Sequence, residues 1–402
     1  MKILVVSQHY WPESFRIVDI CETLVKLGND VTVLCGLPNY PSGYIFDGYK
    51  KKKNRKQTHN GVNIIRAKEI GRRRGIFFRM LNYWSYPHFA SKIVNKLDKD
   101  FDFVFVNGLS PIMSAYPAIK YGNRYNKKIF MYEMDLWPES LLAGGIKKDG
   151  PIYNHYKKIS AKIYSKCDRI FVSTKEHIDY IKKLPNCDKL DINYLPQYAE
   201  EIFENYSQNK DDDGVIDLMF AGNIGKAQSL ETIIYAAELL KNDNSFRFHI
   251  VGEGSSFNEI KILSDSLGLK NVIFYVTRPL EEMPSLYKKA DAMLVTLENK
   301  PYANMTIPGK IQSYMAFGKP IIGSINGSCA SLINENKIGY VCNAGDYNAL
   351  SHIIVNLNKN DLDIIGNLAK KIYREEFSKK IFFSKLIKSF REGLDDEKFE
   401  KQ

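Results

Sequence analysis

Residues 301–323 read Pro-Tyr-Ala-Asn-Met-Thr-Ile-Pro-Gly-Lys-Ile-Gln-Ser-Tyr-Met-Ala-Phe-Gly-Lys-Pro-Ile-Ile-Gly. The apolar run just ahead, 292–297 (AMLVTL), has the length and composition of a buried strand. Pro308-Gly309 punctuates a loop; Ile311, Tyr314, Met315 and Phe317 then recur at helical spacing, and Gly318-Lys319-Pro320 ends that helix before Ile321-Ile322 opens another strand. Strand, loop, helix, tight turn and strand make one unit of a parallel α/β sheet. In such a unit the loop and the helix start lie beyond the carboxyl ends of the strands, beside the positive end of the helix dipole. A lysine in the first helical turn, Lys310, opposes that dipole and is better placed next to an anion, although a plain helix start with a solvated lysine gives the same pattern.

Upstream, the same alternation runs back to residue 215. Strand-type runs occupy 216–221, 246–251 and 272–275. The first is followed by Gly222-Asn223-Ile224-Gly225-Lys226-Ala227-Gln228, a glycine turn expected to lead into a helix and to present Lys226, Gln228 and bare amides to a diphosphate. The second ends in Gly252-Glu253-Gly254, and the third leads into Thr277-Arg278-Pro279. A polar, acidic stretch at 200–214 reads as a linker.

The first half repeats the plan. Apolar strands are expected at 2–6, 31–34, 103–106, 129–132 and 170–172, with a helix to about residue 27 capped by Gly28-Asn29. The first βαβ unit lacks Gly-x-Gly-x-x-Gly, which argues against a dinucleotide such as NAD. Its loop offers Trp11, Glu13 and Arg16, an aromatic, an acid and a base suited to a sugar; a tryptophan packing a domain edge fits as well. A turn-rich loop, 36–44, contains Asn39 and Tyr40, and the strand at 129–132 runs into Glu133-Met134-Asp135-Leu136-Trp137-Pro138-Glu139. Lysines 50–53 with Arg55 and Lys56 read as a solvated loop. Residues 71–84 interleave Arg72, Arg73, Arg74 and Arg79 with Phe77, Phe78 and Trp84. That is the pattern of a basic amphipathic helix on anionic lipid, or of a core helix with a basic lead-in.

The net charge is +11, and it is uneven. Residues 1–196 hold 33 Lys and Arg against 18 Asp and Glu, +15; the remainder holds 24 against 28, −4. Two domains with different partners follow, the basic one facing an anion or an anionic surface. No nucleic-acid module surrounds the basic segment. The six cysteines form no Cys-x-x-Cys pair, the N-terminal apolar run is too short for a secretory signal, and no run is long enough to span a bilayer. These features lead us to expect a cytoplasmic protein with free thiols. No zinc spacing, nucleophile elbow or P-loop is present.

As an ordered set, the Tyr-Trp-Pro-Glu loop, residues 36–43, Asp135-Leu136-Trp137-Pro138-Glu139-Ser140, Gly222-Asn223-Ile224-Gly225 with Gln228, Gly252-Glu253-Gly254 and residues 308–320 resemble the family-4 retaining glycosyltransferases of the GT-B fold. Within these, the chain is most similar to the bacterial surface-polysaccharide branch that includes WbuB-type N-acetyl-L-fucosamine transferases. The resemblance implies two Rossmann-like, doubly wound parallel sheets facing across a cleft: an acceptor domain, 1–196, and a donor domain, 215–375, with a C-terminal helix at about 376–395 packed back on the first. It implies a hexosyltransferase that moves a sugar from a UDP-sugar, with retention and without metal or other cofactor, to a polyprenyl-diphosphate-linked saccharide in O-antigen or capsule synthesis. It also implies a peripheral place on the inner face of the bacterial inner membrane. Catalytic weight falls on Asp135, Lys226 and Lys310. Donor contacts fall on Gly222, Asn223, Gly225, Lys226, Gln228, Glu253, Arg278, Thr306, Pro308, Gly309, Lys310, Gln312 and Ser313, acceptor contacts on Trp11, Glu13, Arg16, Asn39, Tyr40, Asp135 and Trp137, and membrane contacts on Arg72, Arg73, Arg74, Phe77 and Phe78.

The chain departs from that family at four positions. Asn223 and Gln228 stand where the family has an arginine and a lysine, and Met305 and Ser313 stand where it has two glutamates, for the donor sugar and the ribose. Phosphate and ribose contacts are then expected from Lys226, Lys310, Gln312 and Ser313. Loss of both glutamates also fits a non-catalytic nucleotide-sugar or polysaccharide binding protein. A nucleotide-sugar epimerase is a third reading, without a cofactor fingerprint.

Overall fold

The protein, seen in a computed structural model, is described over residues 1–73, 75–205 and 213–399. It forms two compact units, Met1–Leu195 with Lys388–Gln402, and Pro196–Ile387. In the first unit the elements run β1 (Lys2–Ser7), α1 (Arg16–Lys26), β2 (Asp30–Cys35), β3 (Lys56–His59), β4 (Val62–Arg66), α2 (Ile76–Val94), β5 (Phe103–Gly108), α3 (Tyr116–Tyr125), β6 (Ile129–Glu133), α4 (Pro151–Tyr164), β7 (Arg169–Val172), α5 (Glu176–Lys182) and β8 (Asp191–Tyr194). The sheet order is β3-β4-β2-β1-β5-β6-β7-β8. Every pair is parallel except β3 with β4, so this sheet is mixed at one edge rather than wholly parallel. Residues 50–53 are a turn-rich loop as read, but Lys56 opens the edge hairpin, whose two-residue turn Asn60-Gly61 has positive φ at both positions (46° and 79°).

The second unit runs β9 (Ile216–Ala221), α6 (Glu231–Leu239), β10 (Phe246–Val251), α7 (Phe257–Ser266), β11 (Val272–Tyr275), α8 (Met283–Lys289), β12 (Ala292–Thr296), α9 (Pro301–Asn304), α10 (Lys310–Phe317), β13 (Ile321–Ser324), α11 (Gly327–Asn336), β14 (Gly339–Cys342), α12 (Tyr347–Val355), α13 (Lys359–Ile372) and α14 (Lys379–Phe399). Its six strands are all parallel, in the order β11-β10-β9-β12-β13-β14. Strands β9 and β12 are buried at every residue, as continuous apolar runs covered by helices on both faces must be. Apolar clusters lie on each side, one around Met219, Met293, Tyr314 and Phe317, the other around Leu218, Phe220, Leu294 and Ile322.

Strand order reverses at β1/β5 in the first sheet and at β9/β12 in the second. At such switch points the neighbouring loops diverge to opposite faces and leave a crevice at the carboxyl ends of the strands. Helix α14 contributes to both units: Lys379 to Ile387 belong to the second, and from Lys388 the helix belongs to the first. There Phe390 packs against Phe103, Phe105, Phe130 and Phe171, with ring centroids 4.6 to 6.1 Å apart. The 200–214 linker is described only in part: residues 201–203 form a single 3-10 turn, and 206–212 lie outside the described residues.

Candidate functional site

In the second unit the switch-point crevice is built from α10 downward. Residues 311–317 are all buried, so the helix has no solvent face beyond its first turn. Tyr314 hydroxyl accepts from the Ala221 amide (3.1 Å) and donates to the Ala221 carbonyl (3.0 Å), clamping the helix onto the last residue of β9. Lys310 lies four residues earlier, one turn up on the same face, and is thereby held over the end of β9. Its ammonium sits 3.6 Å from the centroid of the Phe220 ring and donates to Gln228 Oε1 at 3.1 Å. A side chain on Gly222 would come 3.0 Å from the same nitrogen, and one on Gly252 would strike the Gly222 carbonyl at 1.9 Å; both glycines have positive φ (142° and 139°). Gly222 therefore clears the space that Lys310 occupies, and Gly252 makes room for the Gly222 backbone. Burial pushes the Lys310 ammonium down to about 7.

The glycine turn differs from the expected helix start. Lys226 to Gln228 form a single 3-10 turn, Ser229 is left-handed, and α6 begins only at Glu231, with an acid in its first turn. Amides of Gly222, Ile224 and Gln228 are taken up by the carbonyls of Val251, Glu253 and Gly225. The turn therefore supplies a lysine and an amide side chain in place of a row of bare N–H groups at a helix start. Lys226, Asn223, Glu253, Thr306 and Gly309 are exposed, with Gly225 and Pro308 half-buried. Arg278 is exposed beside Glu282 (3.7 Å). Gln312 and Ser313 fall inside: they are 2% and 6% exposed, and Ser313 donates to Glu200 at 3.4 Å. Where the family resemblance places a ribose glutamate, this chain has a serine with a carboxylate brought to it from residue 200. No sequence pattern linked these two positions, which are 113 residues apart.

In the first unit the residues expected to meet a sugar mostly hold loops. Glu13 is 4% exposed; its Oε1 accepts from the amides of Asn39 (2.8 Å) and Tyr40 (2.7 Å), and its Oε2 faces His9 Nδ1 (3.1 Å). Burial pulls the His9 imidazole down, but the hydrogen bond and charge of Glu13 outweigh it and hold His9 above its usual value. Asn39, fully buried, donates to the Leu37 carbonyl (2.8 Å) and accepts from the Arg72 amide (3.1 Å). Glu69, which the sequence did not single out, accepts from Gln8 Nε2 (2.7 Å), Asn82 Nδ2 (2.6 Å) and the Leu37 amide (3.1 Å). Burial pushes its carboxyl up to about 7 against the pull of those donors. Trp137 is wholly buried; its indole N–H donates to Ser110 Oγ (3.1 Å), and its ring packs edge-on against Tyr83 and Tyr156. Glu13, Asn39 and Trp137 are thus supports, because their polar atoms or faces are committed to neighbouring loops.

The other expected acceptor residues, Asp135, Tyr40, Arg16 and Trp11, are half-buried or exposed. Asp135 is half-buried, accepts from the Ser110 amide (3.1 Å), and has its carboxyl raised chiefly by burial. Tyr40 is exposed and Arg16 half-buried. Trp11 stacks on His59 of the edge hairpin at 4.0 Å, the domain-edge packing that was one of its two readings. Arg72 and Arg73 precede α2 instead of lying on it. Arg72 sits over Tyr83 (5.8 Å), and Arg73 lies between Tyr44 (5.2 Å) and Phe78 (5.6 Å). Phe77 is exposed and Phe78 half-buried, and Arg74 lies outside the described residues. Among the described residues no helix is long and apolar enough to cross a membrane.

Residues 201–378 match the family model for glycosyl transferases group 1. The second unit is a group 1 glycosyltransferase domain. The chain is similar to the probable glycosyltransferase WbjE of Pseudomonas aeruginosa, 25% identical over 73% of this chain and 76% of that one. It is also similar to the putative colanic acid biosynthesis glycosyl transferase WcaI of Escherichia coli K12, 24% identical over 79% and 82%. Among solved structures, Anabaena HepE in complex with UDP matches with a TM-score of 0.71 at 12% identity, over 98% of this chain and the whole of that one. The two sheets are those of the GT-B fold, and with the group 1 domain in place the chain is an enzyme of the glycosyltransferase class.

Proposed function

We propose that the group 1 domain binds a UDP-sugar and that the chain transfers its sugar, with retention and without metal, to a polyprenyl-diphosphate-linked saccharide during synthesis of a surface polysaccharide such as O-antigen or capsule. N-acetyl-L-fucosamine is the donor sugar we favour. The arrangement of Lys310, Gln228 and Gly222 at the β9/β12 switch point carries this reading: a cation held by an amide and an aromatic face, in a space cleared by a glycine. When the bond from the anomeric carbon to the diphosphate breaks, charge develops on the leaving oxygen. Lys310 meets that charge in a poorly hydrated site, where such stabilisation is large, and the exposed Lys226 adds a smaller, solvated contribution. The leaving phosphate oxygen takes the acceptor hydroxyl's proton as the new glycosidic bond forms on the same face. Asp135 orients that hydroxyl, and Glu200, through Ser313, answers the ribose. The UDP of the HepE complex and the polysaccharide pathway in WcaI's name support the substrate classes. Arg72 and Arg73, in a half with net charge +15, support attachment to an anionic membrane surface at the cytoplasmic face.

The test is a thermal-shift screen of UDP-, GDP- and dTDP-sugars, followed by donor hydrolysis without acceptor in excess EDTA. A UDP-sugar should raise the melting temperature and be hydrolysed slowly with chelator present. Binding without hydrolysis or transfer to any lipid-linked acceptor would instead favour the non-catalytic reading, and a strict need for a divalent ion would rule out the metal-free step.

A further inference from the structure

A groove of about 930 Å³ in the first unit, between the start of α2 and the segment from Glu139 to the first turn of α4, shares Arg72 and Phe77 with the basic segment and holds none of the donor residues above. Its walls carry Phe77, Met80, Trp84, Ile146 and Ile152. Four of these are large apolar side chains left in water: Phe77 is 67% exposed, Ile152 53%, Trp84 40% and Met80 38%. Apolar exposure gathered in one place marks a binding surface, whereas scattered single residues do not. The floor is fixed. Tyr156 hydroxyl reaches Met80 Sδ at 3.7 Å, and the buried Trp137 backs both Tyr156 and Tyr83 edge-on. Among the described residues, the basic side chains in the lining are Arg72, Arg79 and His155, and no Asp or Glu lines it. Arg79 lies across the groove: its guanidinium would be 3.7 Å from a side chain on Gly144. Ser110 also lines it; its amide donates to Asp135, and the positive charge of Arg72 reaches that carboxylate.

Resting on the transferase reading, we propose that this groove holds the isoprenoid chain of the lipid-linked diphosphate acceptor. Its lining joins an apolar trough to cations and, through Ser110, to the carboxylate of Asp135. A saccharide joined through a diphosphate to a single long hydrocarbon combines the same three chemistries. A glycerophospholipid has no sugar for the Ser110–Asp135 pair, and a bilayer surface has no need of a concave trough. The trough's volume is at the upper end of the usual range for small-molecule sites, with mostly apolar walls and a few placed polar groups.

The experiment uses the full chain and geranylgeranyl diphosphate below its aggregation threshold, followed by calorimetry and by tryptophan fluorescence, since Trp84 alone of the three tryptophans lines the groove. Saturable binding is expected, at least tenfold tighter than inorganic diphosphate and weakened at least tenfold by Ile152→Asp and by Met80→Asp, partly exposed positions whose replacement leaves the melting temperature near that of the parent. Parent-like binding by both folded variants, or equal binding of inorganic diphosphate, overturns the proposal. If the variants lose only their sedimentation with anionic vesicles, the face belongs to the bilayer and the proposal also fails. A UDP titration on the same samples separates the two readings: UDP bound and isoprenoid diphosphate not bound removes the groove alone, whereas the reverse removes the donor reading and leaves the groove.

Discussion

The carboxyl edges of the two sheets share one topology and have opposite chemistry. At the first, long loops carry Glu13, Glu69 and Asn39 inward, where they accept from amides that would otherwise be buried without partners. At the second, Gly222 and Gly252 replace side chains with space, and one lysine rests on an aromatic ring and an amide. Loops as long as 36–49 must have their polar backbone satisfied, so the acids within reach are drawn into that work. Short loops satisfy themselves and leave their side chains to a ligand. Chemically rich sequence therefore marked the structural edge, and the sparser glycine turn lies at the edge we propose for the donor.

Removing a support should hurt folding, and removing a ligand group should not. Glu69→Ala removes an acceptor from the Gln8, Asn82 and Leu37 donors; at roughly 1–3 kcal/mol each the loss is about 3–9 kcal/mol, and it should fall toward the low end because Gln8 keeps Asn82 Oδ1 and Asn82 keeps the Ile70 carbonyl. Chemical denaturation monitored on the first unit reads this, while UDP affinity holds in the folded fraction. A loss under 1 kcal/mol would make this edge as free for ligands as the other. Next in size, Lys310→Met should weaken UDP by about 1.5–3 kcal/mol, the range of a charge-assisted hydrogen bond, with little change in melting temperature. Unchanged UDP affinity by calorimetry would move the diphosphate elsewhere.

A pH series sharpens the contrast. Lys310 has its folded value lowered from 10.5 to about 7, so the folded state sheds this proton first. Its contribution to stability is least below pH 7 and grows as pH rises from about 7 to 10.5. Glu69 is raised from 4.5 to about 7, and its contribution falls as pH rises through that lower window. A diphosphate that needs the charged lysine should bind more weakly as pH rises above 7, by up to about tenfold per unit. A flat UDP affinity between pH 7 and 9 in the parent would show that the lysine stays charged or stays out of the site. The smallest expected effect is that of Lys226→Ala. On an exposed 3-10 turn it should cost UDP less than about 1 kcal/mol, the range for a solvated pair.

Much of this fold was legible because its strands are apolar runs, the inner ones buried on both faces. Residues 216–221, 246–251 and 272–275 read from composition as the strands they are, and Gly318 closes α10 with φ of 86° where the Gly-Lys-Pro turn placed the stop. The β3–β4 hairpin was hidden because its strands are half polar, although Asn60-Gly61 between them is the strongest short-range hairpin signal. The place of Lys310 in the first turn of α10 was legible from local pattern; the 3-10 form of the glycine turn was not. Glu69 and the Glu200–Ser313 pair were not legible either. Their meaning lies in partners such as Leu37 for Glu69 or Ser313 for Glu200, set by sheet order and invisible to any window of neighbouring residues.

Phe390 sits where four strand phenylalanines converge, and Gly393 lies so close to Phe130 that a side chain there would meet its ring at 2.6 Å. On the ribosome these residues emerge after every strand of both sheets has been made. The first unit is thus the first to leave the exit tunnel and the last to have its core completed. For the whole time that the second unit is being synthesised, Phe103, Phe105, Phe130 and Phe171 lack their fifth ring.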